Sequence, residues 1–240
     1  NGLFEDNDET ISIEEGDLQK EVVITGNRIT TSKNGIVVVG NRSNQVIAGN
    51  TIEHITGVAI SVSDPHSSFL IDGNTISTGS RGILVSDGNG TIVNNLVSRQ
   101  TSDGIVVAGK TQILIAFNTV VHSVIGFASQ NTKAQFLNNI AYGNTTAGFQ
   151  ALRQKNDIGY NIAYHNGVNF EMVDYGSFHD LGGNAVIDPL FVSDTDYRPT
   201  ATSPCINASG LFTTTYDVLG DLRDGLPDIG AYEWSLSNPL

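Results

Sequence analysis

The feature that most constrains this chain is a sequence repeat with a period of about 22 residues. The segment VIAGNTIE at residues 46–53 returns as LIDGNTIS at residues 70–77. Asparagines in the same local context recur at intervals of 21 to 24 residues. They are Asn27, Asn50, Asn74, Asn95, Asn118, Asn139, Asn161 and, in a degenerate copy, Asn184. A period of this length is typical of a solenoid, a propeller or an array of repeated units.

Two further positions recur together with the asparagine. Three residues before each of the first seven asparagines stands an apolar residue: Ile24, Ile47, Ile71, Ile92, Ile115, Phe136 or Ile158. A glycine followed by an apolar residue recurs as Gly35-Ile36, Gly57-Val58, Gly82-Ile83, Gly104-Ile105, Gly126-Phe127 and Gly148-Phe149. The runs that begin there, such as GIVVVG and GIVVAG, are β-branched and too short for helices. Since the spacing of leucine-rich repeats is absent, the pattern predicts a solenoid of short strands.

The length of the repeat fits one coil of a parallel β-helix. About 22 residues at ~3.3 Å each supply two or three short strands and their corners. Successive coils lie about 4.8 Å apart, so equivalent residues stack on one another. The isoleucines are then predicted to form a dry internal column. The asparagines are predicted to form a buried ladder, because a buried amide needs hydrogen-bond partners.

The coil pattern, with its glycine-apolar strand start and asparagine corner, resembles the right-handed parallel β-helix proteins of the pectate-lyase-like superfamily. The segments IDPLFVSDTDYRPTATSPCINASG and DVLGDLRDGLPDIGAYEW resemble the C-terminal segment of secreted bacterial β-helix proteins. We therefore predict an all-β, right-handed parallel β-helix of about seven to eight coils over residues 1–184, with an irregular C-terminal capping segment over residues 185–240. The resemblance implies a secreted, extracellular or cell-surface location. Lyases, epimerases and proteins of unknown activity share this fold, so the fold alone specifies no reaction.

Charge and composition narrow the choice of partner. The net charge of −13 argues against nucleic acid, because phosphate binding needs clustered lysine and arginine. No apolar run approaches the ~20 residues of a membrane span. The acidic N-terminal residues lack the ligand spacing of an EF-hand loop, so calcium is not indicated and we predict no cofactor. A column of His54, Arg99, His122 and His165 is interrupted by other residue types and predicts no metal site.

Charged residues lie five to seven positions after the coil glycines. They are Arg42, Asp87, Lys110, Lys133, Arg153 and Lys155. Because the coils stack in register, these corner residues are predicted to form a stripe along the solenoid axis, whose cations suit the carboxylate or sulfate groups of a polysaccharide. We take Asp87, Lys110, Lys133 and Arg153 as candidate substrate-binding residues. The alternative is that they are solvated corner residues, since turns collect charge.

The triplet Asp64-Pro65-His66 lies in a coil that is longer than most of its neighbours. The step from Gly57 to Gly82 is 25 residues, whereas most other steps are 22. The sequence therefore predicts a short insertion that carries this triplet. Loops on a repeat scaffold are a common place for functional residues.

The triplet resembles the DPH motif of mannuronan C5-epimerases, which are also β-helices. That resemblance implies His66 as the base for the C5 proton. We predict that Asp64 orients it and that Arg81 and Lys110 neutralise the sugar acid. The tyrosine and the glutamate of that family are replaced here by Ser61 and Ser67. The alternative is an Asp-Pro turn followed by a surface histidine.

Two functions from different classes fit the sequence. The first is a secreted β-helix protein that binds or processes an extracellular acidic polysaccharide, in the manner of a lyase or an epimerase. The second is a non-catalytic structural, adhesive or filament-forming solenoid whose partners are other copies of itself. The second is favoured by the small outward residues predicted on one sheet and by a first coil, around Ile11 and Ile13, that no preceding helix covers.

Overall fold

The structure is a computed structural model of the chain, and it describes residues 2–5, 9–14, 21–40, 44–109 and 112–235. The regular elements among these residues are all β-strands. The first eleven are β1 (Leu3–Glu5), β2 (Glu9–Ile13), β3 (Val22–Thr25), β4 (Arg28–Thr30), β5 (Asn34–Val39), β6 (Gln45–Ala48), β7 (Thr51–Glu53), β8 (Val58–Asp72), β9 (Thr75–Gly79), β10 (Arg81–Val93) and β11 (Leu96–Gln100). They are followed by β12 (Ile105–Ala108), β13 (Gln112–Ala116), β14 (Thr119–Val121), β15 (Ile125–Gln130), β16 (Lys133–Leu137), β17 (Ile140–Tyr142), β18 (Ala147–Leu152), β19 (Lys155–Gly159), β20 (Ile162–Tyr164), β21 (Val168–Val173) and β22 (Ser177–Asp180).

These strands form an 8-stranded and a 14-stranded parallel sheet, and the larger one is divided here into sheets I and II by strand order within a coil. Sheet I contains β2, β5, β12, β15, β18 and β21, and sheet II contains β3, β6, β13, β16, β19 and β22. Sheet III contains β1, β4, β7, β9, β11, β14, β17 and β20. The long strands β8 and β10 bend through a corner and join sheets I and II. The chain thus winds through about seven turns of a parallel β-solenoid, as the sequence predicts.

Strict register between the coils builds the core. In sheet II, Ile71 of β8 pairs with Ile92 of β10, which pairs with Ile115 of β13. The column continues through Phe136 and Ile158, and every one of these side chains is buried. Each such burial is worth about 2–3 kcal/mol. The predicted internal apolar column is confirmed.

The asparagines form a continuous hydrogen-bonded ladder at the corner between sheets II and III. The Asn74 side-chain Nδ2 donates to Asn95 Oδ1 at 2.9 Å, and Asn95 Nδ2 donates to Asn118 Oδ1 at 2.9 Å. The backbone N–H of each asparagine donates to the same oxygen. The ladder runs without a break from Asn27 to Asn184. The predicted ladder is confirmed.

One coil differs from the alignment that the sequence suggests. Ile36 of β5 pairs with Ile60 of β8, so Ala59, and not Gly57, occupies the glycine position in that coil. The sequence alignment was wrong by two residues because Gly57 is required elsewhere. It lies in the preceding corner, where an added Cβ would lie 2.7 Å from the backbone oxygen of Lys33.

The C-terminal segment, residues 185–235, packs against the sides of the solenoid. Cys205 and Ile229 are buried against sheet III. Phe212 packs against Phe117 beside sheet II, with the ring centroids 6.2 Å apart. The segment therefore covers parts of two sheets through apolar contacts.

A buried arginine fixes this segment to the coils. The Arg223 side chain is fully buried and donates to Glu233 Oε2 at 3.1 Å, to Asn94 Oδ1 at 3.1 Å and to the Gly230 oxygen at 2.7 Å. Its guanidinium lies 4.5 Å from the centroid of the Phe117 ring. Because Asn94 and Phe117 belong to solenoid corners, these contacts tie the two parts of the chain together.

Candidate functional site

The Asp64-Pro65-His66 triplet forms a corner within β8, which we call the DPH corner. Asp64 is 1% exposed, and its Oδ1 accepts a hydrogen bond from the His66 backbone N–H at 2.9 Å. An aspartate that bonds the backbone two residues on stabilises a turn. Five residues between Ser63 and Phe69 lie opposite only two residues of the next coil, so the corner is longer there than the one that follows it. The His66 side chain is exposed.

The structure separates Arg81 from the DPH corner. Arg81 pairs with Val58 at the start of β8, and Asp64 lies six residues further along the same strand. At ~3.3 Å per residue, the two positions are roughly 20 Å apart. Arg81 Nη2 instead bonds Asp103 at 3.0 Å. The predicted convergence of Arg81 with His66 is therefore wrong, because being one coil away does not place two residues at the same end of a strand.

The predicted stripe of charges is only partly assembled. Asp87 lies on β10, one coil from the DPH corner. Arg153 stands at a corner with a φ of 62°, and its guanidinium bonds Asp174 at 3.1 and 3.2 Å. Lys110 and Arg42 lie outside the described residues. The two remaining members of the stripe are brought together on sheet II.

Lys133 and Lys155 lie in a groove of about 400 Å³ on the outer face of sheet II, which we call the lysine groove. Its polar and apolar lining includes Gln112, Leu114, Lys133, Gln135, Lys155 and Asp157. Alternation along the strands determines which side chains face it. In β16, Ala134 and Phe136 point inward and are buried, so Lys133 and Gln135 face outward.

The two lysines are neighbours on adjacent strands. Gln135 pairs with Asp157, and this register places Lys133 opposite Lys155 on strands about 4.8 Å apart. Like charges directly opposite one another destabilise a sheet. Within the described ranges, neither ammonium has an acidic side chain at ion-pairing distance. The mutual repulsion of the two lysines therefore costs folding free energy that no ion pair within the described ranges offsets.

The arginines are placed differently. Five of the six arginines in the described part of the chain form ion pairs with acidic side chains: Arg28, Arg81, Arg153, Arg198 and Arg223. The sixth, Arg99, donates to the backbone oxygen of Asp194 at 2.9 Å. Among the described cationic side chains, the arginines thus have acidic or carbonyl partners, whereas Lys33, Lys133 and Lys155 form no ion pair. Lys133 and Lys155 differ from Lys33 in that they lie opposite one another.

Asp157 lines the lysine groove, and His179 of the next strand contacts Asp157. The His179 Nδ1 lies 2.9 Å from Asp157 Oδ1, and Gln135 Nε2 donates to Asp157 Oδ2 at 3.4 Å. About half of the His179 side chain and a third of the Asp157 side chain are exposed, at 52% and 37%. The groove thus combines two ammonium groups with a carboxylate and amides, and an imidazole contacts the carboxylate from the next strand. Such a set suits a ligand that carries both anionic groups and hydroxyls.

Sequence reasoning missed Gln135, Asp157 and His179. For the first two a signal was present, because successive coils contain KAQ at residues 133–135 and KND at residues 155–157. A residue two positions after each lysine must face the same side of the strand. His179 falls in the last, degenerate repeat, five residues before Asn184, whereas Asp157 lies four residues before Asn161, so the asparagine spacing does not align the two.

Metal-binding side chains are not clustered in the described part of the chain. No group of three or more His, Cys, Asp or Glu residues there is arranged to hold a metal ion. In the histidine column, the His122 ring packs edge-on against Tyr142, with centroids 5.5 Å apart. The same residues contain no helix long and apolar enough to cross a membrane.

Comparison with known proteins identifies the family to which this chain belongs. The model of the right-handed β-helix region family matches residues 1–120 and 65–192. The crystal structure of the pectate lyase Pel9A is similar, with a TM-score of 0.54 at 14% identity, over 93% of this chain and 77% of that one. At such low identity the likeness shows the fold alone, and neither match shows the resemblance to mannuronan C5-epimerases. No curated protein sequence matches the chain significantly. With most of its length covered by the family model, the chain belongs to the right-handed β-helix family, and the predicted handedness is confirmed.

Proposed function

We propose that this chain binds an anionic polysaccharide in the lysine groove. The observation that carries the proposal is the unpartnered pair Lys133 and Lys155, on adjacent strands of a protein with a net charge of −13. A carboxylate or sulfate of the ligand would supply the missing counter-charge through charge-assisted hydrogen bonds. Gln112, Gln135 and Asp157 line the same groove and would bond the sugar hydroxyls.

The arrangement of the groove favours a glycan that runs along the solenoid axis. Gln112 pairs with Lys133, and Lys155 pairs with Ser177, so four polar side chains follow one another across four strands. Each step is about 4.8 Å. A linear chain laid across the strands would meet one polar side chain per coil, with two consecutive cations in the middle. The name of the similar structure, a pectate lyase, supports a polysaccharide ligand.

Binding is tested with purified protein against polygalacturonate, alginate, dextran sulfate and neutral dextran. We expect binding to the three anionic polymers, little to neutral dextran, and a loss of affinity as salt is added. The double variant Lys133→Gln/Lys155→Gln should lose most of this binding. Lys33→Gln is the matched control, because Lys33 is an exposed lysine outside the groove. A double variant that binds as tightly as the Lys33→Gln control would contradict the proposal.

We further propose that the chain processes the glycan catalytically and that it is secreted. Exposure of His66 at the DPH corner supports a role for it as a base, whereas the position of Arg81 removes the cation predicted beside it. The C-terminal segment, which resembles that of secreted proteins, supports an extracellular location. Turnover of a polyuronate that disappears in His66→Ala, at an unchanged melting temperature, would support catalysis. Absence of turnover in the unmodified chain would leave binding alone.

A structural role, in which copies of the chain associate, is the second candidate. It is supported by Ile11 and Ile13 of the first coil, which pack on the core but are only partly buried. Light scattering over a range of concentrations tests it. A mass that rises with concentration, and falls back in an Ile11→Ser variant, would support association, whereas a constant monomer mass would contradict it.

A further inference from the structure

We infer that the charge of His179 regulates anion binding in the lysine groove, so that affinity rises as the pH falls. This inference rests on the proposed function. His179 of β22 pairs with Asp157 of β19, and the ring Nδ1 lies 2.9 Å from Asp157 Oδ1. Asp157 lines the groove together with Lys133 and Lys155. A charge on the imidazole therefore acts directly on the carboxylate that opposes the two lysines.

The surroundings of His179 leave this coupling undisturbed. The charged residues on its own strand and on the strands around it are Lys133, Lys155, Asp157, Glu171 and Asp180. Glu171 accepts a hydrogen bond from Gln150 at 2.6 Å on sheet I, away from the groove. Asp180 accepts from the Gly182 N–H at 2.9 Å and so belongs to the following turn. Asp157 is thus the acidic group that His179 contacts.

The size of the effect follows from counting charges in the groove. With a neutral imidazole, two ammonium groups and one carboxylate give the groove a single net positive charge. Protonation of His179 neutralises the carboxylate and raises the net charge by one. Histidine is the side chain whose charge changes between about pH 5 and 8. One extra charge about 8 Å from a bound anion at a hydrated surface strengthens binding about three- to tenfold at low ionic strength.

The experiment uses oligomers of dextran sulfate, because sulfate esters keep their charge over the whole range from about pH 5 to 8. Affinity is measured at fixed low ionic strength for the unmodified chain, His179→Gln and His54→Asn. The unmodified chain should bind about three- to tenfold more tightly at pH 5 than at pH 8. His179→Gln should lose most of this difference. His54→Asn, a change at an exposed histidine outside the groove, should keep it.

A further variant, Asp157→Asn, separates the two charges of the pair. It should bind more tightly than the unmodified chain at pH 8, because the opposing carboxylate is gone. Melting temperatures check that the exposed substitutions leave the fold intact. An equal pH response in His179→Gln and the unmodified chain would overturn the inference but leave the proposed function standing. Failure of the unmodified chain to bind the sulfated oligomer at every pH would instead overturn the proposed function.

Discussion

Replacement of Asn95 by leucine tests the asparagine ladder where it is most deeply buried. Asn95 Nδ2 donates to Asn118 Oδ1, to the Ile71 oxygen and to the Val93 oxygen, at 2.8 to 2.9 Å. Its Oδ1 accepts from the backbone N–H and from Nδ2 of Asn74, both at 2.9 Å. Leucine has the same branched shape as asparagine but can make none of these bonds, and its methyl groups are bulkier than the amide. The substitution therefore removes polar contacts and crowds atoms that lie 2.8 to 2.9 Å apart in the unmodified chain.

The expected loss is smaller than the sum of these bonds. Asn74 Nδ2 keeps two backbone oxygens as acceptors, Val93 O keeps the Gly73 N–H, and Asn118 Oδ1 keeps the Asn95 backbone N–H. The Asn74 backbone N–H loses its acceptor, and a buried unsatisfied donor costs about 1–3 kcal/mol. The other weakened hydrogen bonds add to this cost, while burial of the apolar leucine side chain offsets a part of it. We expect the free energy of unfolding to fall by about 2–4 kcal/mol.

Urea titration followed by circular dichroism measures this change, since a shift of the midpoint at constant m reports stability. Asn27→Leu is the matched control. Asn27 is the first rung, is only partly buried, and accepts a bond from the Gly2 N–H at 3.1 Å. We expect it to cost less than half as much as Asn95→Leu. Equal losses at both rungs, or no measurable loss at Asn95, would refute the argument that buried rungs stabilise the solenoid.

Three further predictions concern charged groups. Lys155→Gln should raise the free energy of unfolding by about 0.5 kcal/mol in low-salt urea titrations, because it removes repulsion from Lys133, and a loss of stability would contradict this. Arg223→Met should cost about 3–5 kcal/mol by the same assay, since it leaves Glu233 buried without its cation, and a neutral result would show that the ion pair is dispensable. Burial raises the pKa of Asp228 to about 6. Between about pH 4 and 6 the folded chain then holds a proton that the unfolded chain has released, so the free energy of unfolding should fall by about 2 kcal/mol as the pH rises through that window. An unfolding titration in which Asp228→Asn keeps the same slope would reject this assignment.

The fold could be predicted because each coil repeats the same physical demands. Ile71 and Ile92 pack on the apolar residues of the neighbouring coils, and Asn74 and Asn95 hydrogen-bond the asparagines of the neighbouring coils. Apolar residues and asparagines therefore recur in the sequence at a fixed spacing. The error at Gly57 arose because a glycine is needed both at a strand start and in a tight corner. The local sequence around a glycine does not distinguish these two uses.

The candidate site was harder to predict because it depends on position along a strand as well as on the number of coils. Arg81 and Asp64 are one coil apart in sequence pattern, but Arg81 lies at the start of β10, whereas Asp64 lies at the corner in the middle of β8. Lys133 and Lys155 converge because corners of equal length place them at the same point of consecutive strands. The ion-pair partner of each charged side chain also could not be predicted from the sequence. Nothing in the sequence shows that Arg153 is neutralised by Asp174 and that the lysines are not.

The pH responses of stability and of binding should be separable, because they arise from different groups. Asp228 lies in the C-terminal segment, where it accepts from the backbone N–H groups of Asn207 and Trp234, whereas His179 lies at the groove and contacts Asp157. The two sets share no hydrogen-bond partner, and the effects of independent sites add. Asp228→Asn should therefore flatten the pH dependence of unfolding and leave that of anion binding unchanged, and His179→Gln should do the reverse. If the double variant departed from additivity by more than about 0.5 kcal/mol, the C-terminal segment would be coupled to the groove, and the pH dependence of binding could not be assigned to His179 alone.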